Sequence, residues 1–288
     1  VRESPFLRGS KKPRRLVIAH RGARSLAPEN TLAAGEAALA LRADLWEFDV
    51  EVTRDGELLL LHDETLSRTT DALTRYPDRS PWRAADFTWD EIRALDAGSW
   101  FLREDPFGTL ASGDVPQDRR ERLAGERIPS LREALSWTQE SGLGANVELK
   151  GNRASAGASN GGHRPVERAV AIVRELRMES RVLVSSFDHA MIRRLKMMAP
   201  EIAGALLFHN LPADPRAALD AAKADAVALK LPAFEREAAR ALEEAGFGVY
   251  VWTANGPEDL ERLAAEPFLA GIITDWPQRL LKILGRAH

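Results

Sequence analysis

Leu16-Val17-Ile18-Ala19-His20, a helix-period stretch at Thr31–Leu41, and then Leu45-Trp46-Glu47-Phe48-Asp49-Val50 open the chain as strand, crossover and strand. Two apolar β-stretches joined through a helix lie parallel, because a parallel return needs a long crossover. The alternation continues to the C-terminus. Further strands are expected at Ala145–Lys150, Arg181–Ser185, Ile202–Phe208, Ala226–Lys230, Gly248–Thr253 and Ala270–Thr274. Amphipathic stretches between them include Ser130–Gln139, Val166–Leu176, His189–Met198, Pro215–Lys223, Phe234–Glu244 and Pro257–Ala264, with Pro277–Leu284 at the end. Helix starts are signalled by Asn30 before Thr31, by Ser130 with Glu133 three residues on, and by Asp188 before His189. Ser141-Gly142 and Ala245-Gly246 read as stops.

Eight strand–helix units within 288 residues predict an α/β fold, a closed TIM (β/α)8 barrel, rather than an open doubly wound sheet. No Gly-x-Gly-x-x-Gly follows the first strand, which argues against a dinucleotide site. Residues 15–288 are therefore expected to form a single barrel, preceded by a flexible arm over residues 1–14. Two segments interrupt the rhythm. Glu57–His62 reads as an additional short strand, and the polar stretch from about Leu66 to Arg127 is too long for a plain loop. That stretch reads as an insertion over one mouth of the barrel. Gly151–Gly162, rich in Gly, Ser, Asn and Ala, reads as a mobile loop. Both interruptions follow strands, which places them on the catalytic face.

Composition narrows the function classes. Hydrophobic residues make up 44% of the chain, enough for a full core, and the formal net charge of -3 gives no basic field for nucleic acid. With no cysteine, disulfides, thiol nucleophiles and Cys-ligated zinc are excluded. No apolar run approaches the roughly 18–20 residues of a membrane span. Lys11-Lys12-Pro13-Arg14-Arg15 is basic but has no apolar stretch behind it, so it does not read as a signal peptide. A cytoplasmic location is the expectation, although a chain opening on Val1 is compatible with a removed leader. Oligomeric state is not legible.

The chemistry is concentrated at strand ends. Glu47 and Asp49 share one face of their strand. Facing outward they would bury two carboxylates against the helix layer, whereas inward they form an oxygen-rich pair at the barrel mouth. Glu148, at the end of the next barrel strand, can complete a three-carboxylate site for a hard divalent cation. Glu51 has the same parity but lies further toward the turn and is expected to be exposed. His20 and His62 end the first strand and the additional one. Two imidazoles can supply a general base and a general acid near neutral pH, or could themselves be metal ligands. Three carboxylates already favour Mg²⁺ or Ca²⁺ and leave the imidazoles free for proton transfer. Three acids and a dication leave the site negative, so Arg21 and Lys150 would bring it near neutrality with a phosphodiester bound, and both are natural phosphate binders.

At this point a resemblance becomes specific. The ordered set His20-Arg21-Gly22, Pro28-Glu29-Asn30-Thr31, Glu47-Phe48-Asp49-Val50, Thr53-Arg54-Asp55-Gly56 and His62-Asp63-Glu64-Thr65-Leu66-Ser67-Arg68-Thr69-Thr70 resembles the glycerophosphodiester phosphodiesterase family. Glu148-Leu149-Lys150, Ser185-Ser186-Phe187, Val251-Trp252-Thr253-Ala254-Asn255 and Ile273-Thr274-Asp275-Trp276-Pro277 continue it to the C-terminus. The resemblance implies a barrel enzyme that splits small-molecule glycerophosphodiesters into sn-glycerol 3-phosphate and an alcohol with one divalent cation. It implies His20 and His62 as the acid–base pair, and Glu47, Asp49 and Glu148 as metal ligands. Arg21 and Lys150 would hold the phosphate, and Trp252 would form an apolar wall. Glu29 would sit beside the metal or orient His20 and Arg21, with Asn30 also behind the first layer of ligands. A lysophospholipase D or sphingomyelinase-D-like enzyme is the nearest alternative, with Phe87, Trp89, Trp100, Phe101 and Phe107 sheltering an acyl chain or forming a small core. A non-catalytic barrel that binds phosphorylated ligands is the remaining one.

Overall fold

The computed structural model describes residues 15–151 and 165–286. The expected N-terminal arm and nearly all of the Gly151–Gly162 loop lie outside them. Among the described residues there are nine strands: β1 Leu16–Ala19, β2 Leu45–Val52, β3 Leu58–Leu60, β4 Gly144–Leu149, β5 Val182–Ser186, β6 Ala203–Phe208, β7 Ala226–Lys230, β8 Gly248–Trp252 and β9 Gly271–Thr274. The helices are α1 Leu32–Ala40, α2 Ala72–Arg75, α3 Trp89–Ile92, α4 Ser99–Glu104, α5 Gln117–Leu123 and α6 Leu131–Ser141, followed by α7 Pro165–Glu175, α8 His189–Met198, α9 Pro215–Ala222, α10 Arg236–Glu244, α11 Pro257–Ala264 and α12 Pro277–Ile283.

Eight strands are parallel, and β1 closes the ring by pairing with β2 through Ile18↔Leu45 and with β9 through Ala19↔Thr274. The fold is thus the TIM barrel expected from the alternation. The extra strand β3 folds back antiparallel on the projecting end of β2, with Glu51 opposite Leu59. Side-chain alternation divides the core in two. Ile18, Leu183, Leu207, Tyr250 and Ile273 fill the barrel interior, while Val17, Trp46, Phe48 and Val147 face the helices. Trp46 buries its indole completely, and its Nε1–H donates to Thr138 Oγ1 of α6 at 2.9 Å, so the buried N–H has a partner.

Several helix ends follow the sequence signals. Ser130 and Glu133 form a capping box, Asp188 caps α8, and Gly142 at φ +80 ends α6. The cap of α1 is different: Thr31, not Asn30, accepts from Ala34 N–H. Asn30 sits at φ +58 with its amide turned to Asp49, as a short polar side chain can in the left-handed region.

Gly22 makes the turn after β1 possible. It lies at φ +78, and a Cβ there would come within 2.5 Å of Ala34 Cβ and 2.7 Å of the Ala34 carbonyl carbon. Gly22→Ala combines left-handed strain with overpacking against a helix, and is expected to cost about 2–5 kcal/mol. Urea unfolding is the check; a midpoint unchanged from wild type would contradict the close approach.

The segment between β3 and α6 carries α2–α5. Leu66, Phe87, Ile92 and Leu95 bury against Leu59 and Leu61, making a small core, whereas Trp100 and Phe101 join the main one. It abuts the loops after β1 and β9: Thr109 Oγ1 donates to Ser25 O at 2.6 Å, and the Phe107 and Trp276 rings meet edge-on at 5.8 Å. Among the described residues no helix is long and apolar enough to cross a membrane.

Candidate active site

The C-terminal ends of the strands surround a cavity of about 150 Å³, and the charged strand ends of the first half converge on it. The register places Asp49 directly beside Glu148, and Glu47 beside Asn146. One carboxylate oxygen each from Glu47, Asp49 and Glu148 lie within 4.8 Å of one another. Burial raises Glu47 well above the carboxylate range, and the charges of Asp49 and Glu148 push it further; the Arg21 backbone N–H, donating to Glu47 Oε2 at 2.8 Å, opposes this. Burial raises Glu148 too, against the pull of Lys150. Asp49 is held far below its usual range despite its burial, because Lys150 Nζ stands 2.7 Å and Arg21 Nε 3.4 Å from its oxygens and Asn30 Nδ2 donates to it at 2.9 Å. Carboxylate oxygens from two buried acids and the half-buried Glu148, repelling one another, are a donor set suited to a hard divalent cation. Lys150 bonds both Asp49 and Glu148, and those acids raise its pKa although burial opposes them.

Both histidines line the cavity, and each has its Nδ1 engaged by a carboxylate. His20 Nδ1 lies 2.6 Å from Asp275 Oδ1, with its Nε2 on the Glu47 side, 4.0 Å from Oε2. His62 Nδ1 lies 2.7 Å from Asp63 Oδ1. When Nδ1–H donates to a carboxylate, the neutral ring presents its Nε2 lone pair. Burial lowers the His20 pKa, outweighing the hydrogen bond that His20 donates to Asp275. Asp275 is pulled down to about 2 despite burial, chiefly by the His20 bond. It is held from behind by Asn255, whose Nδ2 donates to Asp275 Oδ2 at 2.7 Å and whose Oδ1 accepts from the Asp275 backbone N–H at 2.9 Å.

One expectation needs correction. Glu51 is buried rather than exposed, since β3 covers the end of β2, and burial raises its carboxyl to about 7. Of the two places expected for Glu29, the structure gives the one behind Arg21: it lies outside the three-acid cluster and makes no direct contact with His20. It is buried among three guanidinium groups: Arg21 Nη1 at 2.9 Å, Arg68 Nη2 at 2.7 Å and Arg24 Nη2 at 3.0 Å. Trp252 stands in the cavity wall as expected, and its Nε1–H donates to Ala228 O at 3.1 Å. Phe187 and His209, stacked at 4.2 Å, extend that wall, so the half of the cavity opposite the acids is aromatic.

Asp275, Asn255, Asp63, Arg24, Arg68, Asn146, Ser185, Phe187 and His209 were given no role in the sequence reading. Asp275 had a signal: it ends the last strand, and barrel closure puts that strand beside β1. Asn146 had one too, two residues before Glu148 on the same face; its Oδ1 accepts from Ser185 Oγ at 3.0 Å. Arg68 lies within the His62–Thr70 motif of the resemblance, while nothing local distinguishes Arg24 from a surface charge.

Glu29 is held at about 2, below its ordinary 4.5, because the arginines outweigh its burial. A carboxyl depressed on folding contributes stability fully above its unfolded pKa, and that stability is lost as pH falls through the folded value. Between pH 4.5 and 2, wild type is expected to lose stability on the order of 3 kcal/mol through this group. Denaturant midpoints across that window check it: Glu29→Gln gives a shallower acid slope, and an unchanged slope would contradict the assignment.

Comparison with known proteins agrees with this geometry. The model of the glycerophosphoryl diester phosphodiesterase family matches residues 20–279. A glycerophosphodiester phosphodiesterase of Caldanaerobacter subterraneus is 33% identical over 278 residues, covering 93% of this chain and 97% of that protein. An Oleispira antarctica phosphodiesterase, solved with its product sn-glycerol-3-phosphate, superposes with a TM-score of 0.74 at 26% identity, covering 94% of this chain and 96% of that one. A glycerophosphodiester phosphodiesterase from Agrobacterium tumefaciens gives a TM-score of 0.70 at 26% identity, over 93% of this chain and 100% of that one.

Proposed function

This chain belongs to the glycerophosphoryl diester phosphodiesterase family and is a phosphoric diester hydrolase, and from that premise we propose that it cleaves glycerophosphodiesters into sn-glycerol 3-phosphate and an alcohol by acid–base catalysis between His20 and His62. One observation carries the reading: two imidazoles, each tied by Nδ1 to its own carboxylate, share a cavity with a cluster of three acids.

The chemistry divides between the residues as follows. One histidine accepts the proton of the substrate's glycerol 2-hydroxyl through Nε2 as that oxygen bonds to phosphorus. The bond from phosphorus to the departing alcohol breaks, and the other histidine gives that alcohol its proton. Water then opens the cyclic phosphate with the two roles exchanged, which restores both protonation states. Arg21 and Lys150 counter the phosphate charge from beside the acids. A bound Mg²⁺ or Ca²⁺, held by Glu47, Asp49 and Glu148, would stabilise negative charge on the phosphoryl oxygens.

A lysolipid substrate is not favoured, because Phe87, Trp100 and Phe101 are spent on buried packing. Product analysis with glycerophosphocholine, lysophosphatidylcholine and a 2-deoxyglycerol analogue tests the reading. Glycerol 3-phosphate and choline are expected from the first, and no turnover of the 2-deoxy compound. Normal turnover of that analogue would sink the cyclic route, and preference for the lysolipid would replace the substrate.

A further inference from the structure

Behind the two histidines, the charged groups form one connected chain. From His20 Nδ1 it runs through Asp275 Oδ1 at 2.6 Å to Arg24 Nε at 3.7 Å, and on through Arg24 Nη2 to Glu29 Oε2 at 3.0 Å. From Glu29 Oε1 it continues to Arg68 Nη2 at 2.7 Å, then by Arg68 Nε to Asp63 Oδ2 at 2.6 Å, and from Asp63 Oδ1 to His62 Nδ1 at 2.7 Å. Arg21 also donates to Glu29 Oε1, at 2.9 Å. Three carboxylates, Glu29, Asp63 and Asp275, thus face three guanidinium groups, Arg21, Arg24 and Arg68. Glu29, only 5% exposed, is the member common to both branches.

We propose that Glu29 is a positioning residue that sets the orientation of both histidines at once, through Arg24 to Asp275 and through Arg68 to Asp63. The proposal rests on the two-histidine reading above. A carboxylate in a low-dielectric interior cannot turn away from one guanidinium without changing its hold on the others. Arg68 hydrogen-bonds the carboxylate that fixes His62, and Arg24 stands as an ion pair 3.7 Å from the carboxylate that fixes His20, which Asn255 also holds. Separate Asp–His pairs would let one ring drift alone; a shared carboxylate couples them. Glu29 touches no reacting atom, so its removal misplaces the rings rather than deleting a proton carrier.

Two readouts separate this from a merely structural role. In protein labelled with ¹⁵N-histidine, Glu29→Gln is expected to shift or broaden the ring-nitrogen signals of both His20 and His62, leaving His189 unmoved. Movement of one ring alone, or of neither, overturns the coupling. Arg68 is the most exposed of the three arginines, at 38% of its side chain, so Arg68→Met serves if Glu29→Gln does not fold. It is expected to move the His62 signal directly and the His20 signal through Glu29; His62 alone moving overturns the proposal. In kcat at saturating substrate and cation, each single variant is expected to lose about 10- to 100-fold. The double variant should fall no more than about 3-fold below the worse single, since both cut the same connection. Losses that multiply would show the residues acting independently. If wild type turns over no glycerophosphodiester, the functional reading fails, while the ring signals still decide the coupling.

Discussion

His20→Ala and His62→Ala are each expected to lower kcat by about 10³-fold, within the range for losing a positioned general acid or base. In the proposed mechanism each step needs one ring empty at Nε2 and the other protonated there, and the two rings then exchange states, so neither could substitute for the other. The double variant is expected to be little worse than either single, because the residues act as a unit. Steady-state assays with glycerophosphocholine read the loss, and circular dichroism reads the fold. Wild-type turnover in either variant would remove that histidine from the mechanism. The fold is expected to survive, since both side chains line an open cavity and pack in neither hydrophobic core.

Removal of divalent cations is the second large effect. Chelation is expected to reduce activity to below about 1%, and Mg²⁺ or Ca²⁺ to restore it, because metal assistance supplies several kcal/mol of charge stabilisation. The same re-addition is expected to raise thermal stability: a ligand bound only by the folded state at 100 times its Kd contributes about 2.7 kcal/mol. Relief is available in the structure, where burial and the neighbouring charges of Asp49 and Glu148 push the Glu47 carboxyl upward. Asp49→Asn should abolish both responses. Full activity in the chelated enzyme would mean that Lys150 and Arg21 alone offset the phosphate charge, and that the acid cluster has another purpose.

The barrel and half of the site were legible for one reason: polar residues at the ends of apolar strands are conspicuous. His20, Glu47, Asp49 and Glu148 stand out because their neighbours are Ala19, Phe48, Val50 and Leu149. The other half depends on contacts no local pattern carries. Asp275 is 255 positions from His20 and reaches it only because β9 closes on β1. Arg24 resembles a solvated charge, and Arg68 only one member of a motif, until Glu29 is found buried between them. Asn30 and Thr31 are both good caps, so the choice between them was settled by Asp49, which draws the Asn30 amide away. The burial of Glu51 required knowing that β3 turns back over β2.

The closure of β1 on β9 has a consequence for synthesis. As the chain leaves the ribosome, the three clustered acids and both histidines are all present by residue 148. The carboxylate that orients His20 arrives only with Asp275, after every intervening strand. A nascent or C-terminally cut chain can therefore carry the acid cluster and remain unable to hold its first histidine in register. On the proposed mechanism, activity would report that the ring has shut, and hydrolysis would wait for the last strand of the barrel.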